Sequence, residues 1–103
     1  MNQKLIDEVK RRMAKYPIYS QEPVEDKLVV MKLFNAFGSG TWYLTEYDPD
    51  DEQAFGYVTG LGGDEWGYIS IRELAEITLR GTQVPHIEID RHFDPTLFSQ
   101  IQL

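Results

Sequence analysis

The chain has 103 residues, of which 42% are hydrophobic and 13% aromatic, with no cysteine and a formal net charge of −7. This length supplies one hydrophobic core, which favours a single domain over residues 1–103 and argues against extensive disorder. The absence of cysteine excludes disulfides and cysteine zinc sites. The N-terminus has charges of both signs, and the chain has no long apolar run. Together with the absence of cysteine, these features lead us to expect a cytoplasmic protein without membrane association.

Charge is distributed unevenly along the chain. Residues 1–15 carry five basic and two acidic side chains, and no Lys or Arg lies between Lys32 and Arg72. The acidic residues of that cation-free stretch are Glu46, Asp48, Asp50, Asp51, Glu52, Asp64 and Glu65. A negative field of this kind opposes direct nucleic-acid binding and favours contact with a basic protein surface.

The N-terminal segment, residues 1–16, predicts a basic amphipathic helix. Apolar side chains recur at three- and four-residue spacing from Lys4 to Tyr16, and basic residues crowd the C-terminal half, where the helix dipole favours cations. Pro17 is expected to end the helix.

Residues 28–71 predict an acidic antiparallel β meander. The predicted strands are Leu28–Phe34, Thr41–Tyr47, Ala54–Thr59 and Trp66–Ile69, separated by glycine-rich or Asp-Pro turns. Simple alternation along the second strand places Trp42 and Leu44 on one face and Tyr43, Thr45 and Tyr47 on the other.

Two further helices are predicted after the meander. Ser70 and Glu73 form a capping box, which predicts a helix over residues 70–81 with Gly81 as its C-cap glycine. Residues 85–103 predict a short strand and then a short C-terminal helix beginning at an Asp-Pro pair. The fold class is therefore α+β: an antiparallel meander of about four or five strands, packed with an N-terminal helix and one or two short helices.

Aromatic residues concentrate in the acidic meander. Part of this set must form the core, but exposed rings surrounded by carboxylates are typical of an interface with a basic protein. The candidate partner-binding residues are Glu46, Tyr47, Asp48, Asp50, Asp51, Glu52, Tyr57, Asp64, Glu65 and Trp66. No catalytic residue and no cofactor is predicted.

A metal site is the alternative chemistry that the sequence offers. On an extended strand, the alternate side chains of His86, Glu88, Asp90 and His92 would form one row. The spacing matches no recognised ligand pattern, so a solvated polar strand face is the preferred interpretation and no metal is predicted.

Residues 32–56, KLFNAFGSGTWYLTEYDPDDEQAFG, resemble a family of small domains of unknown function found on plasmids, integrative elements and phages. Later parts of that pattern are similar to GYISIRELAEI from Gly67 and to the residues Glu88, Asp90, His92 and Phe93. The likeness covers residues 30–95 and departs at Ile89 and Arg91, which change the charge order there. It implies a mobile-element origin and offers no catalytic residues to transfer.

The resemblance also implies a class of function: inhibitors of host defences that target nucleic acid. We therefore expect a non-enzymatic protein that binds Cas9 of type II-A CRISPR systems, or its guide-RNA complex, which holds nucleic acid in positively charged channels. The alternatives are an accessory interaction protein of plasmid transfer or replication and a small metal-dependent enzyme.

Overall fold

The computed structural model describes residues 2–78, 82 and 84–103. Within these residues the chain forms two α-helices, seven β-strands and one 3-10 helix, which confirms the predicted α+β class. In chain order they are α1 Gln3–Arg12, β1 Leu28–Val29, β2 Met31–Asn35, β3 Thr41–Asp48, β4 Gln53–Thr59, β5 Glu65–Ser70, α2 Ile71–Glu76, β6 Ile87–Ile89, β7 Thr96–Leu97 and the 3-10 helix Phe98–Gln100. Gly81, the predicted C-cap glycine, lies outside the described residues.

Five strands of the described chain form one antiparallel sheet in the order β5-β4-β3-β2-β6. Strands β2 to β5 are the predicted meander, and β6 returns to pair with the other side of β2. The strand predicted over Leu28–Phe34 is divided at Val30, whose N–H donates to the carbonyl of Leu44 at 2.8 Å. As a result β1 leaves this sheet and pairs with β7.

Helix α1 is shorter than the helix predicted over residues 1–16. The Asn2 side chain caps its first turn by accepting the N–H of Leu5 at 3.3 Å. The helix ends at Arg12, because the chain then turns towards the sheet and the carbonyl of Tyr16 accepts the N–H of Tyr47 at 2.8 Å. Pairing with β3 therefore ends the helix before the proline is reached.

Strand β3 contains a β-bulge. Its register against β4 shifts between Leu44 and Glu46, so Thr45 is an additional residue in the strand. The Thr45 hydroxyl donates to the carbonyl of Phe55 at 3.0 Å. Because the bulge moves the alternation by one residue, Tyr47 lies in the core with Leu44. Its predicted position on the opposite face is wrong.

Helix α2 begins as predicted and ends early. The Ser70 hydroxyl accepts the N–H of Glu73 at 3.1 Å, which confirms the cap. The helix ends at Glu76, so the helix predicted over residues 70–81 is wrong for residues 77 and 78, and residues 79–81 lie outside the described residues. Thr78 instead forms an antiparallel bridge with Pro85, and this pairing directs the chain into β6.

The C-terminal helix predicted after residue 95 is also wrong, because β7 and a single 3-10 turn occupy that segment. The N–H of Phe98 donates to the carbonyl of Lys27 at 2.8 Å. The Asp26 carboxylate accepts the Ser99 hydroxyl at 2.6 Å and the Ser99 N–H at 3.0 Å, and these bonds lower the pKa of Asp26. Contacts with a distant segment thus override the local helix signal.

The hydrophobic core lies on one face of the sheet, where both helices pack. It includes Leu5 and Val9 of α1, Leu74 of α2, and Leu33 and Leu44 of the sheet. The opposite face, called here the outer face, carries the alternate side chains of β3, β4 and β5.

Candidate interaction surface

Aromatic side chains form a continuous row on the outer face, called here the aromatic strip. Its members are Phe55, Tyr57, Trp66, Tyr68 and Phe98. Strand pairing sets Phe55 opposite Tyr68 and Tyr57 opposite Trp66. Ring centroids lie 5.3 Å apart in both pairs, and Phe55 and Trp66 stack at 6.0 Å. Phe98 of the 3-10 helix packs 4.7 Å from Trp66. Such offset and edge contacts fix the rings in place.

The strip becomes more exposed towards β5. Trp66 is 36% and Tyr68 is 55% exposed, whereas Phe55 and Tyr57 are half-buried. Strand β5 pairs only with β4 among the described residues, so these two rings lie at the margin of the sheet. The most accessible aromatic area of the outer face is therefore on an edge strand.

Two of the predicted partner-binding aromatics lie in the strip, and one does not. Tyr57 and Trp66 are members of it, but Tyr47 is only 2% exposed and belongs to the core. Burial, followed by the nearby carboxylates of Glu52 and Asp48, raises the pKa of Tyr47 to about 12. The expectation that Tyr47 is an exposed anchor is wrong, and the bulge in β3 is the reason.

Glu46 is also buried. It is 4% exposed, and its two carboxylate oxygens accept the backbone N–H groups of Tyr19 at 3.1 Å and Gln21 at 2.7 Å. The sequence gives no indication of this role, because it depends on residues 17–27 folding over the sheet. Glu46 therefore contributes no open charge to a flat contact surface.

The remaining predicted acidic residues do not form one contiguous patch. Asp50, Asp51 and Glu52 lie in the β3–β4 turn and Asp48 ends β3 beside it, whereas Asp64 lies in the β4–β5 turn and Glu65 begins β5 beside it. Strand β4 separates these turns, and at about 3.3 Å per residue they lie roughly 20 Å apart at opposite ends of the sheet. A stretch that is contiguous in sequence thus yields two acidic poles.

The β3–β4 turn uses part of its charge internally. The Asp48 carboxylate accepts the N–H of Asp50 at 2.9 Å, and Glu52 pairs with Arg72, whose Nε lies 3.1 Å from a Glu52 oxygen. Pro49 lines a groove together with Lys10 and Arg11 of α1, so cations lie beside this turn. The negative potential there is weaker than the count of carboxylates implies.

One carboxylate is open beside the aromatic strip, where the β4–β5 turn leads into β5. Asp64 accepts the N–H of Gly60 at 3.2 Å, which stabilises the turn. Glu65 is exposed and forms no ion pair within the part of the chain that the structure describes. It directly precedes Trp66 on the edge strand.

Sequence reasoning missed four aromatic residues of this region: Tyr19, Phe55, Tyr68 and Phe98. Phe55 and Tyr68 alternate with Tyr57 and Trp66 along their strands, so the period-two pattern could have placed all four on one face. Tyr19 and Phe98 carried no such signal, because long-range contacts bring their segments to the sheet.

The four side chains considered as metal ligands are His86, Glu88, Asp90 and His92. They do not converge: the His86 ring packs 4.9 Å from that of Phe37, and Asp90 pairs with Lys32 at 3.5 Å. Among the described residues, no group of three or more His, Asp or Glu side chains is placed to hold a metal ion. The geometry gives the metal-site alternative no support.

A protein-family model described as "Protein of unknown function (DUF2958)" matches residues 2–100. The chain belongs to this family. The resemblance noted in the sequence is thereby confirmed at the level of a family of unknown function. No curated protein and no solved structure matches the chain.

Membership of the family assigns no activity, so functional inference depends on the surface described above. Of the helices that the structure describes, none has the length and apolar character needed to cross a bilayer.

Proposed function

We propose that this protein is a non-enzymatic binding protein of a mobile genetic element that inhibits Cas9 of type II-A CRISPR systems in the host cytoplasm. The observation that carries the proposal is the exposed run of Glu65, Trp66 and Tyr68 on edge strand β5. Tryptophan and tyrosine are enriched among the residues that contribute most to protein–protein affinity. A carboxylate beside them favours a basic partner.

The charge of the molecule supports the same class of partner. A net charge of −7 repels nucleic acid and attracts the positively charged channel in which Cas9 holds its guide and target. Two acidic poles separated by a strand length can each approach a basic region of such a channel. The contact surface that follows contains Tyr68 and the predicted residues Asp48, Asp50, Asp51, Glu52, Tyr57, Asp64, Glu65 and Trp66, and it omits the buried Glu46 and Tyr47.

A DNA-cleavage assay with guide-loaded Cas9 tests the proposal. Saturating wild-type protein should block cleavage, and Trp66→Ala should weaken inhibition by roughly 30-fold, because truncating a central aromatic anchor costs about 2 kcal/mol. Phe37→Ala is the matched control, since Phe37 is an exposed ring in the turn between β2 and β3, outside the strip. Full cleavage at saturating wild-type protein would remove Cas9 as the target.

The charge contribution is tested separately with the double variant Asp50→Asn and Asp51→Asn. Both carboxylates are exposed, and neither forms an ion pair within the described residues, whereas Glu52 is paired with Arg72 and is best left unchanged. The variant should inhibit less well, with the largest difference at low salt. Equal inhibition at all salt concentrations would remove the β3–β4 turn from the contact surface and leave the β5 contact in place.

A further inference from the structure

A cavity of about 290 Å³ opens on the outer face, between the sheet and the segment 17–27 that crosses it. The residues that line it are Tyr19, Glu22, Lys27, Glu46, Phe55 and Tyr68. Sites for small molecules usually measure about 300–1,000 Å³. The volume of this cavity is just below that range, and it therefore suits a single side chain.

A buried carboxylate forms part of the cavity wall. Each oxygen of Glu46 accepts one backbone N–H, from Tyr19 and from Gln21, but a carboxylate can accept about four hydrogen bonds. Both oxygens therefore retain capacity for a donor in the cavity. Within the described residues Glu46 forms no ion pair, although glutamates this deeply buried are normally paired.

Three aromatic side chains also line the cavity, those of Tyr19, Phe55 and Tyr68. The Phe55 and Tyr68 rings meet edge to face at 5.3 Å. The neighbouring Tyr19 side chain raises the pKa of Tyr68. Tyr19 adopts a left-handed φ of 74°, which its N–H bond to Glu46 helps to maintain. The electron-rich faces of such rings attract cations.

The cationic side chain that lines the cavity, Lys27, already donates its hydrogen bonds to backbone carbonyls. Lys27 Nζ donates to the carbonyls of Gln21 at 2.9 Å and Val24 at 2.8 Å, so its hydrogen bonds close the loop instead of reaching Glu46. Glu22 and Glu46 together outweigh its charge, which leaves the lining residues with a net negative charge. An anionic occupant is disfavoured on this balance.

We propose that the cavity binds the guanidinium group of an arginine side chain presented by the basic partner. Guanidinium is planar, stacks on aromatic rings and donates two parallel hydrogen bonds to a carboxylate, all of which suit a cavity where the Glu46 carboxylate lies beside the rings of Phe55 and Tyr68. Lysine offers a more strongly hydrated point charge that gains less from the rings. The inference rests on the proposed function for the source of the arginine, but the chemistry of the cavity can be tested without any partner.

The test is an NMR titration of the isolated chain with N-acetyl-arginine amide, using N-acetyl-citrulline amide as the neutral isostere. Arginine amide should shift the ring signals of Tyr19, Phe55 and Tyr68 at millimolar concentration, with an affinity about 10-fold higher than that of citrulline amide. Tyr68→Leu should abolish this selectivity, while Phe37→Leu should retain it. Glu46→Gln should also abolish it, and the spectrum of each variant reports directly whether the chain is folded.

Equal shifts with arginine and citrulline amides, or shifts confined to residues outside the cavity, would overturn the inference. Cas9 inhibition by the Tyr68→Leu variant then separates the two proposals. Arginine selectivity in a chain that never inhibits Cas9 would support the cavity and remove the proposed target. Inhibition that is unchanged in Tyr68→Leu would show that the target does not use the cavity.

Discussion

Replacing Gln21 by alanine would remove three hydrogen bonds at the point where β1, β3 and the segment 17–27 meet. The Gln21 side chain is 6% exposed, and its amide nitrogen donates to the carbonyls of Leu28 and Thr45, each at 2.8 Å. Its amide oxygen accepts the N–H of Leu28 at 2.7 Å. The Gln21 side chain thus provides hydrogen bonds to the backbone of β1 and β3 beside the bulge, where the two strands do not pair directly.

The expected cost of Gln21→Ala follows from those bonds. A typical buried hydrogen bond contributes about 1 kcal/mol, and a buried group left without a partner costs about 1–3 kcal/mol, so we expect a loss of roughly 3 kcal/mol. For a domain of this size such a loss lowers Tm by at least 10 °C, at about 4–8 °C per kcal/mol. The matched control is Gln3→Ala, whose exposed side chain makes one bond, to Asp7 at 3.0 Å, and should cost about 0.5 kcal/mol or less.

Urea unfolding followed by tryptophan fluorescence measures both values. The two variants should have equal m-values, so that the difference in midpoint reports native-state stability. A cost below about 1 kcal/mol for Gln21→Ala would refute the reasoning, because water would then satisfy the groups that the side chain leaves. The control variant also shows whether any loss of glutamine is destabilising.

Three further substitutions test other parts of the structure, each by urea unfolding. Arg91→Ala should cost about 0.2–1 kcal/mol at neutral pH. The hydrogen bond from Arg91 lowers the pKa of Glu8 below 4.5. The stabilisation from this ion pair should therefore vanish as acidification protonates Glu8. A cost of Arg91→Ala that persists in acid would contradict this expectation. Tyr47→Phe removes a buried hydroxyl without a hydrogen-bond partner in the described structure, so stability should stay equal or rise by up to about 1 kcal/mol. Because the pKa of Tyr47 is raised to about 12, the wild type should lose stability between the ordinary value of 10 and that pH, and the variant should lose less. Gly56→Ala should cost more than about 3 kcal/mol, since the added Cβ would lie 2.0 Å from the carbonyl oxygen of Tyr43, and a near-neutral result would show that β4 can move away.

The parts of the fold that were predictable are those with strong local signals. Strands β3, β4 and β5 follow from β-branched and aromatic runs between turn residues, and the start of α2 follows from its capping box. The lengths of α1 and α2 were not predictable, because the residues after each helix pair with distant strands. The C-terminal segment failed for the same reason: its bonds to Asp26 and Lys27 outweigh a local helix signal.

The candidate site was predictable in composition but not in arrangement. The acidic residues of the cation-free stretch do lie on the surface in large part. A meander places successive turns at opposite ends of the sheet, however, so these residues form two separate acidic poles. Glu46 was counted as surface charge because the sequence does not show that residues 19–21 cover it. The position of Tyr47 depended on a bulge, and a single additional residue carries no periodic signal.

The bulge at Thr45 also determines where this strand tolerates a change of length. Losing that one residue would restore regular alternation while Leu44 and Tyr47 continued to face inward. A deletion elsewhere in β3 would instead rotate one end of the strand and expose apolar rings to water. Natural single-residue deletions among family members should therefore concentrate at this position.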